Sequence, residues 1–447
     1  MDYKLKVGFC RKNITPEGEY PLGGYGDDSR RMCQGVRDPI FGTCLAITDE
    51  QDTTVLIFSV DLISARSDMV ERLRKSVSEA TGVPEECIHM ASTHNHSSPG
   101  IASPTLPGIQ RFYTLFDVLM TEAAVGAMAD RAPAKLYLGH AYTERLNFVR
   151  HYKLENGNYA GDNFGRWNSP IAGHASEPDK QIQMIKVARE SKPDILLMNW
   201  QGHTLLSSTG SDEARAQRYL LSADYPSACR KALEEKTGML VAYFLGASGN
   251  VNTYTRIKEE ARTYDSHRHG KLLAETALTA LEDMQPLEAG PITTRKRTLT
   301  LEVDHSDDHL VPLAQDIWAI WTKDGVEGRR VALERGFNST FHANHVISRS
   351  KMGQTSEMTI DTVAMGELAF AFAPYEMFTA NGLFIKAQAP YKSTVVATCA
   401  NGAFSYFASE EAFEHGGYEV DSRKHPKGTA ELLADNFVQM LSEQKEK

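Results

Sequence analysis

Two histidines separated by one residue stand within residues 88–100, after a short apolar run and before serines, a proline and a glycine. If residues 88–91 end a buried strand, His94 and His96 lie in the loop beyond it. Alternate residues of an extended segment point the same way, so both imidazoles can face one cleft. Imidazoles at such a place suit a divalent transition metal, above all zinc. By itself the pair is a weak signal, because loop histidines are more often ordinary polar residues.

Further side chains with chemical potential follow other apolar runs of strand length: Arg150, His203, Asn250, Asn252, Glu376 and Tyr406. Several of these runs are separated by segments with helical periodicity, such as residues 68–81. The alternation predicts an α/β fold of mixed β-sheets flanked by helices, with active-site loops at the strand ends. His94, His203 and Glu376 would then offer zinc two imidazoles and a carboxylate, which leaves a position open for water.

Each of these residues also has an ordinary structural explanation. His203 could be a hydrogen-bonded loop histidine, and Arg150 could be a surface ion-pair partner. Glu376 could be the first-turn acid of a helix, where the helix dipole favours a negative charge. His342 and His345 form an alternative metal pair, although their polar surroundings suggest exposure.

The overall composition is that of an ordinary globular protein, with 447 residues, 41% of them hydrophobic and 24% charged. A net charge of −10 argues against a nucleic-acid partner, which would need basic clusters. We identify no apolar run of membrane-span length and no signal peptide, so we expect a cytoplasmic protein without membrane insertion. Six scattered cysteines without a Cys-x-x-Cys pair predict reduced thiols, with neither disulfides nor a cysteine zinc site.

A change in texture near residue 286 suggests two parts. Residues 1–286 are predicted to form an α/β core that carries the histidine metal ligands. Residues 287–447 open on an alternating strand and are predicted to form a smaller α/β lobe that completes the same cleft. One continuous catalytic domain is the alternative, and a homo-oligomer is left open.

The order of several short motifs resembles the catalytic zinc domain of the neutral (non-lysosomal) ceramidases. The matching segments are 94–100 (His-x-His-Ser-x-Pro-Gly), 147–150 (Asn-x-x-Arg), 200–203 (Trp-x-x-His), 222–224 (Ser-x-Asp), 374–379 (Pro-x-Glu-x-x-Thr) and 401–406 (Asn to Tyr). The likeness spans roughly residues 7–418, and its specificity lies in the shared order of the motifs.

This resemblance implies a role for each residue of the cleft. One zinc ion per chain would be bound by His94, His203, Glu376 and Tyr406. Catalytic roles would fall to His96, Arg150 and Tyr418, and substrate contacts to Gly24 and Asn252. Zinc can lower the pKa of a bound water to about 7 and polarise a carbonyl. Arg150 and His96 can stabilise the negative charge that develops on oxygen.

One departure from the family pattern alters the expected chemistry. Asn252 stands where the ceramidases have the serine implicated in their reaction, so a serine nucleophile is excluded there. Attack by metal-activated water needs no serine. We also expect the chain to lack the family's C-terminal immunoglobulin-like domain and an interfacial apolar helix, which argues against ceramide as the substrate.

We therefore expect a zinc-dependent hydrolase that cleaves an amide, ester or lactone bond of a small polar metabolite, such as a sugar derivative. Two alternatives remain. One is a metal-dependent lyase or isomerase acting on a sugar or sugar acid. The other is a non-catalytic binding protein that retains the cleft.

Overall fold

The computed structural model describes residues 4–446, except 26–30, 103, 107 and 163. Strands and helices alternate along the chain, and the strands form mixed sheets with helices beside them. The predicted fold class, α/β with mixed sheets flanked by helices, is therefore confirmed.

The strands of the described residues, in chain order, are β1 (Leu5–Asn13), β2 (Gly35–Val36), β3 (Phe41–Asp49), β4 (Thr54–Val60), β5 (Ile88–Ser92), β6 (Ala132–Tyr142), β7 (Phe148–Val149), β8 (His151–Leu154), β9 (Tyr159–Gly161), β10 (Phe164–Gly165), β11 (Ile171–His174), β12 (Gln181–Arg189), β13 (Ile195–Trp200), β14 (Leu220–Leu221), β15 (Leu240–Leu245), β16 (Val251–Asn252), β17 (Gln285–Leu287), β18 (Ile292–Glu302), β19 (Thr355–Met365), β20 (Leu368–Phe372), β21 (Glu376–Met377), β22 (Ser393–Ala397) and β23 (Tyr406–Phe407).

The α-helices are α1 (Ser67–Thr81), α2 (Ile109–Ala129), α3 (Asp212–Ala216), α4 (Asp224–Thr237), α5 (Ser266–Leu278), α6 (Val311–Lys323), α7 (Gly325–Glu334), α8 (Thr340–Arg349), α9 (Thr379–Gln388), α10 (Glu410–His415), α11 (Tyr418–Asp421) and α12 (Thr429–Lys445). Short 3₁₀ turns occupy Glu85–Cys87, Thr279–Leu281 and Asp308–Leu310.

The largest sheet has the strand order β15-β13-β12-β6-β1-β3-β4-β5, with β17 beside β6. Its neighbouring strands are antiparallel, except for the parallel pairs β13–β15 and β4–β5. The hydroxyl of Ser59 on β4 donates a hydrogen bond to the carbonyl of Tyr243 on β15, so the two ends of this sheet come together. The loops after β5 and β13, which carry His94 and His203, therefore open at the same place.

The core is built as four layers. One face of the large sheet packs on α1 and α2 and, further along, on α4 and α5. Its other face packs against a second sheet of order β18-β19-β20-β22, which is covered on its far side by α9 and α12. Strands buried on both faces need apolar residues at nearly every position, as the run Thr54–Val60 has.

The apolar cluster between the two sheets contains residues from both sides of position 286. Leu138 and Phe244 come from the first predicted part, and Phe370 and Val395 come from the second. The division near residue 286 stays a prediction. A shared cluster is what its alternative, one continuous catalytic domain, requires.

Helix α2 is, by length and composition alone, apolar enough to cross a membrane, and it is the one such helix among the described residues. The expectation that no apolar run reaches this length was therefore wrong. Phe112, Phe116, Met120 and Ala123 of α2 share one helix face and are buried against the large sheet. One face of α2 thus packs on the sheet, and the expected absence of membrane insertion stays a prediction.

Helices α6, α7 and α8 lie between β18 and β19 and enclose a small apolar cluster of their own. This helical insert reaches the segment that carries Tyr418. Asn338, just before α8, donates hydrogen bonds to both carboxylate oxygens of Asp421, at 3.0 and 2.9 Å. The ring of His345 lies 6.5 Å from that of Tyr418. The insert thus flanks one side of the predicted cleft.

Candidate metal centre and substrate cleft

Loops after several strands bring the predicted site residues together. His94 follows β5 and His203 follows β13, and a bridge between Asn95 and Thr204 joins the two loops. Strands β21 and β23 pair in parallel, with Glu376 and Tyr406 in register. Glu376 is therefore not in the first turn of a helix, which was its ordinary explanation. Side chains that are up to 312 positions apart in the sequence (376 or 406 against 94) converge at this edge of the molecule.

Three imidazoles meet at the centre of the cleft. The Nε2 atom of His94 lies 3.0 Å from Nε2 of His203 and 3.2 Å from Nε2 of His96. Backbone carbonyls stand at the other nitrogens: Nδ1 of His94 donates to Ile63 at 2.8 Å, and Nδ1 of His203 donates to Ser248 at 2.9 Å. In a neutral imidazole that donates through Nδ1, Nε2 carries a lone pair. When both rings are neutral, as metal binding requires, the lone pairs of His94 and His203 face each other.

Glu376 adds a carboxylate to this group. Its Oε2 atom lies 3.1 Å from Nε2 of His94 and 3.4 Å from Nε2 of His203. Among the described residues this buried oxygen has no hydrogen-bond partner. Burial raises the pKa of Glu376, but His94 and His203 more than offset that effect and hold the pKa well below its ordinary value. An ionised carboxylate therefore stands beside two imidazole nitrogens, an arrangement that a bound cation would satisfy in place of the second proton of His94.

The three histidines differ in protonation. Burial lowers the pKa of His94, but Cys399 and Glu376 more than offset it, so the pKa of His94 lies well above its ordinary value. Burial, with Arg150 nearby, lowers the pKa of His203 to about 4. Burial and the charge of His94 lower the pKa of His96 well below its ordinary value. Metal binding needs deprotonated ligands, and His203 and His96 are already neutral at physiological pH.

The donor atoms are spaced as zinc requires. Zinc binds nitrogen and oxygen at about 2.0–2.2 Å in a tetrahedral arrangement, which places neighbouring donors roughly 3.3 Å apart. The separations around Nε2 of His94 and Oε2 of Glu376 range from 3.0 to 3.4 Å. His94, His203 and Glu376 fit such an ion. Either His96, which lies in the same group, or Tyr406 could supply the fourth donor.

His96 lies nearer to the metal donors than a purely substrate-lining role would require. The absence of a side chain at Gly24 leaves room for His96 to lie there. A Cβ atom at residue 24 would come within 2.9 Å of both Cα and Nδ1 of His96. The φ angle of Gly24 is +107°, which side chains rarely adopt. The observed partner of Gly24 is thus His96, and its contact with a substrate stays a prediction. The ring of Tyr25 lies 5.1 Å from the ring of His96.

Tyr406 and Tyr418 stand beside each other in the cleft, with ring centroids 5.7 Å apart. The guanidinium carbon of Arg150 lies 5.4 Å from the centre of the Tyr406 ring. Burial, together with the charge of Glu376, raises the pKa of Tyr406 well above its ordinary value. A bound cation would act in the opposite direction. The roles of Tyr406 as a ligand and of Tyr418 as a catalytic residue stay predictions.

Arg150 is buried and fixed from three sides. Its Nε donates to Glu419 at 2.6 Å, its Nη2 to the carbonyl of Gly249 at 2.9 Å, and its Nη1 to Oδ1 of Asn252 at 3.4 Å. Glu419 also accepts a hydrogen bond from His151 at 2.7 Å. Burial raises the pKa of Glu419, but Arg150 and His151 more than offset it and lower the pKa to about 2. Arg150 is therefore a fixed internal cation and not a surface ion-pair partner.

Sequence reasoning missed two residues of the site. Glu419 follows the predicted Tyr418, but no pattern distinguishes it from nearby acids such as Glu411. Cys399 places its sulfur 3.4 Å from Nδ1 of His94. Its only sequence signal is its position just after β22. Both Cys399 and His94 have left-handed φ angles, 52° and 57°, and such strain in non-glycine residues concentrates at functional sites.

The alternative metal pair, His342 and His345, has one acidic neighbour, since Oδ1 of Asp421 lies 3.7 Å from Nδ1 of His342. Both residues are half-buried on α8 rather than exposed, and burial lowers the pKa of each to about 4. Within the described part of the chain, His94, His96 and His203 are the one group of three or more histidine, cysteine or acidic residues that could hold a metal ion.

The four-layer arrangement and the site at its edge define a protein with a neutral ceramidase-like fold. The crystal structure of neutral ceramidase from Pseudomonas aeruginosa matches 100% of this chain and 75% of its own length, with a TM-score of 0.73 and 16% identity. A ceramidase structure complexed with C2 matches 100% of this chain and 76% of its own, with a TM-score of 0.73 and 15% identity. No protein-family model and no curated protein sequence matches significantly. The resemblance inferred from the motifs is thus confirmed for the fold.

Proposed function

We propose that this protein is a zinc-dependent hydrolase that cleaves an amide bond in a small polar substrate, with ester and lactone bonds as related possibilities. The observation that carries the proposal is the meeting of His94, His203 and Glu376 around one point, where two imidazole Nε2 atoms and a carboxylate oxygen lie within 3.0–3.4 Å of one another. The likeness in fold to two ceramidases supports the same chemistry, because a ceramidase is by name an amide hydrolase.

Some residues of the cleft would bind the metal, and others would stabilise charge on the substrate. His94, His203 and Glu376 would hold zinc, with His96 or Tyr406 as the fourth donor. Zinc supplies Lewis acidity, which polarises a carbonyl and acidifies water. Arg150 contributes a positive charge that is already oriented by Glu419 and Asn252, so it can stabilise negative charge on the substrate oxygen without reorganisation. Among the described residues the Asn252 amide donates one hydrogen bond, to Asp162, and its second hydrogen would serve the substrate.

The test of this function is turnover by the zinc-loaded chain on a panel of amides, esters and lactones. Hydrolysis adds the mass of water to the products. We expect Arg150→Ala to keep zinc and to lower kcat by roughly 100-fold or more, because a fixed stabilising charge is lost. Arg150→Lys is the matched variant that keeps the charge opposite Glu419. An Arg150→Ala protein that binds zinc and turns over normally would contradict the assignment.

Asn252 in place of serine favours one further candidate, a binding protein that retains the cleft. Zinc-loaded protein that binds members of the panel but converts none of them would support this candidate. Products of unchanged total mass would instead indicate an isomerase or a lyase acting on a sugar or sugar acid. The net charge of −10 supports a small-molecule substrate over a nucleic acid.

A further inference from the structure

A row of polar and aromatic side chains extends from Asn252 toward the surface, and we call it the Asp162 wall. It consists of Asn252, Tyr254, Asp162, Arg256 and Trp167. Oδ2 of Asp162 accepts hydrogen bonds from the Asn252 amide at 3.3 Å and from the Tyr254 hydroxyl at 2.7 Å. Oδ1 of Asp162 pairs with Arg256 at 3.2 Å, and the guanidinium of Arg256 lies 4.6 Å over the ring of Trp167. One carboxylate therefore organises the whole wall.

The Asp162 wall begins at the catalytic cleft and ends in solvent. At its inner end, Oδ1 of Asn252 accepts a hydrogen bond from Arg150. Exposure rises along the wall: Asn252 is 1% exposed, the side chain of Asp162 27%, and that of Arg256 48%. Trp167, at the outer end, is 42% exposed. A substrate that entered along the wall would reach Arg150 and the imidazole group.

We call the entrance to the cleft beside the Asp162 wall its mouth. Tyr25 lies at this mouth, next to His96 of the imidazole group. Its ring lies 5.1 Å from that of His96, and its hydroxyl is 2.7 Å from that of Ser208. Burial raises the pKa of Tyr25 to about 12 and that of Tyr254 well above its ordinary value, and the charge of Asp162 adds to both effects. Of the two phenols, that of Tyr254 contacts Asp162 directly, through its hydrogen bond to Oδ2. The mouth so defined offers hydroxyls, an amide, a carboxylate and aromatic faces, and none of its named residues is aliphatic.

This set of groups is suited to hydroxyl-bearing molecules. An ionised carboxylate has about four acceptor positions, and the wall uses three of those on Asp162. The remaining position can accept a substrate hydroxyl, while Trp167 and Tyr25 present aromatic faces. An alkyl chain in the same place would strip water from Asp162 and Tyr254 and return no hydrogen bond.

We infer that Asp162 determines the substrate specificity of this site, and that the substrate is the amide of a hydroxyl-rich amine, an amino sugar or an amino alditol. The inference rests on the proposed hydrolase function of the same site. A lipid amide would instead require an extended aliphatic surface to bury its chain, whereas the five residues of the wall supply hydrogen-bonding groups and aromatic rings.

The experiment compares two series of acetamides on the zinc-loaded full chain. One series contains N-acetyl amino sugars and N-acetyl amino alditols, and the other contains N-acetyl alkylamines together with a short-chain ceramide. Product mass and kcat/KM report hydrolysis, and ligand-observed NMR reports binding whether or not hydrolysis occurs. The variants are Asp162→Asn and the gentler Tyr254→Phe. Asp212→Asn, the same change at an exposed position on α3, is the matched control.

We expect the wild type to prefer the hydroxylated series at least tenfold. Asp162→Asn should lower kcat/KM or weaken binding for that series by roughly tenfold or more, because a charged hydrogen-bond acceptor is lost. The alkyl series should change by less than about threefold, since it makes no such bond. Zinc content should stay at the wild-type level in every variant, and Asp212→Asn should leave all values unchanged.

Three outcomes would overturn the inference: a wild-type preference for alkyl or ceramide amides, an equal loss for both series in Asp162→Asn, or no binding of any hydroxylated member. Failure of the proposed function looks different. Selective binding of the hydroxylated series without hydrolysis would refute the hydrolase and leave the role of Asp162 standing. Hydrolysis of alkyl amides alone would support the hydrolase function and refute the role of Asp162.

Discussion

The imidazoles of His94 and His203 are each oriented through Nδ1 by a backbone carbonyl, from Ile63 and Ser248. Those carbonyls follow β4 and β15, so the direction of each Nε2 is set by the large sheet. Partners of this kind select the tautomer with a free Nε2. The sequence identifies the two histidines but cannot reveal these partners, because any residue type supplies a carbonyl.

Gly24 offers a test of the packing around His96. In Gly24→Ala the new methyl group would come within 2.9 Å of His96, at a φ angle of +107°. We expect activity to fall and the protein to lose about 1–3 kcal/mol of stability through strain and displacement of His96. Thermal unfolding and turnover measure the two effects.

The control for this substitution is Gly157→Ala. Gly157 also has a positive φ angle, +84°, but a Cβ there meets nothing within 4 Å. Backbone strain alone should appear in this variant, and activity should persist. Equal loss of activity in both variants would show that contact with His96 is not the cause.

Because Glu419 has a lowered pKa in the folded chain, we predict that the free energy of unfolding depends on pH. Its pKa in the folded chain is about 2, below the ordinary 4.5, so its stabilising contribution is complete above about pH 4.5 and is lost as the pH falls toward 2. Glu419→Gln should therefore lower the free energy of unfolding by roughly 3 kcal/mol near pH 7. The difference from wild type should shrink below about pH 4.5.

Denaturant unfolding at a series of pH values measures this difference. Glu411→Gln, the same substitution at an exposed position, should cost little at any pH. A constant gap between Glu419→Gln and wild type down to about pH 3 would show that ionisation of Glu419 is not the source of its effect.

Among the secondary-structure elements, the short ones carry the site and were the hardest to predict. The apolar run 240–245 predicts β15 with its observed bounds, and the periodicity over 68–81 predicts α1 to within one residue. The two-residue strands β21 and β23, which set Glu376 opposite Tyr406, are too short to leave a periodic pattern.

The boundary between α6 and α7 was also not predicted, and the reason is local. Residues 313–337 are predicted to be helical, but the helix is interrupted at Asp324, which separates α6 from α7. The carboxylate of Asp324 accepts hydrogen bonds from the amides of Val326 and Glu327, at 2.9 and 3.1 Å, as an N-cap does. Apolar periodicity continues across the break, so it conceals the cap.

The contact between Asn338 of the helical insert and Asp421 of α11 leads to a further prediction about stability. Burial raises the pKa of Asp421 to about 7, from an ordinary 3.8. The folded chain therefore favours the protonated acid, and ionised Asp421 costs stability increasingly as the pH rises from about 4 through 7. Asp421→Asn removes this cost and keeps an acceptor for Asn338.

We expect Asp421→Asn to be more stable than wild type near pH 8 and nearly equal to it near pH 4. Unfolding free energies at the two pH values, measured by chemical denaturation, provide the check. A variant that is less stable than wild type near pH 8 would show that the ionised Asp421–Asn338 contact stabilises the insert, contrary to this expectation.

Across the whole molecule, motif order predicts the fold better than overall sequence similarity does. The TM-score to neutral ceramidase is 0.73 although only 16% of residues are identical. Core positions such as Phe370 and Val395 accept other apolar residues of similar volume. The fold can therefore persist while the residue types at these positions change. Residues that bind a metal cannot be exchanged in this way, so the proposed donors at 94, 203 and 376 stand out in the sequence.

The large sheet also explains what motif order cannot supply. Its ends come together through the Ser59–Tyr243 hydrogen bond, and this closure brings the loop after β5 beside the loop after β13. Such closure is a property of twist summed over many strands, and no local pattern encodes it. Apart from Asn252, the residues of the Asp162 wall were missed for a related reason, since they come from separate segments of the chain and associate only in the folded protein.

The central claim is that the buried group of His94, His203 and Glu376 holds one zinc ion per chain. Metal content after zinc loading and exhaustive dialysis tests it most directly, in wild type, in His203→Ala and in His309→Ala, whose histidine is exposed and lies outside the group. We predict one zinc per chain in wild type and His309→Ala, and none in His203→Ala. Full zinc occupancy in His203→Ala would contradict the account.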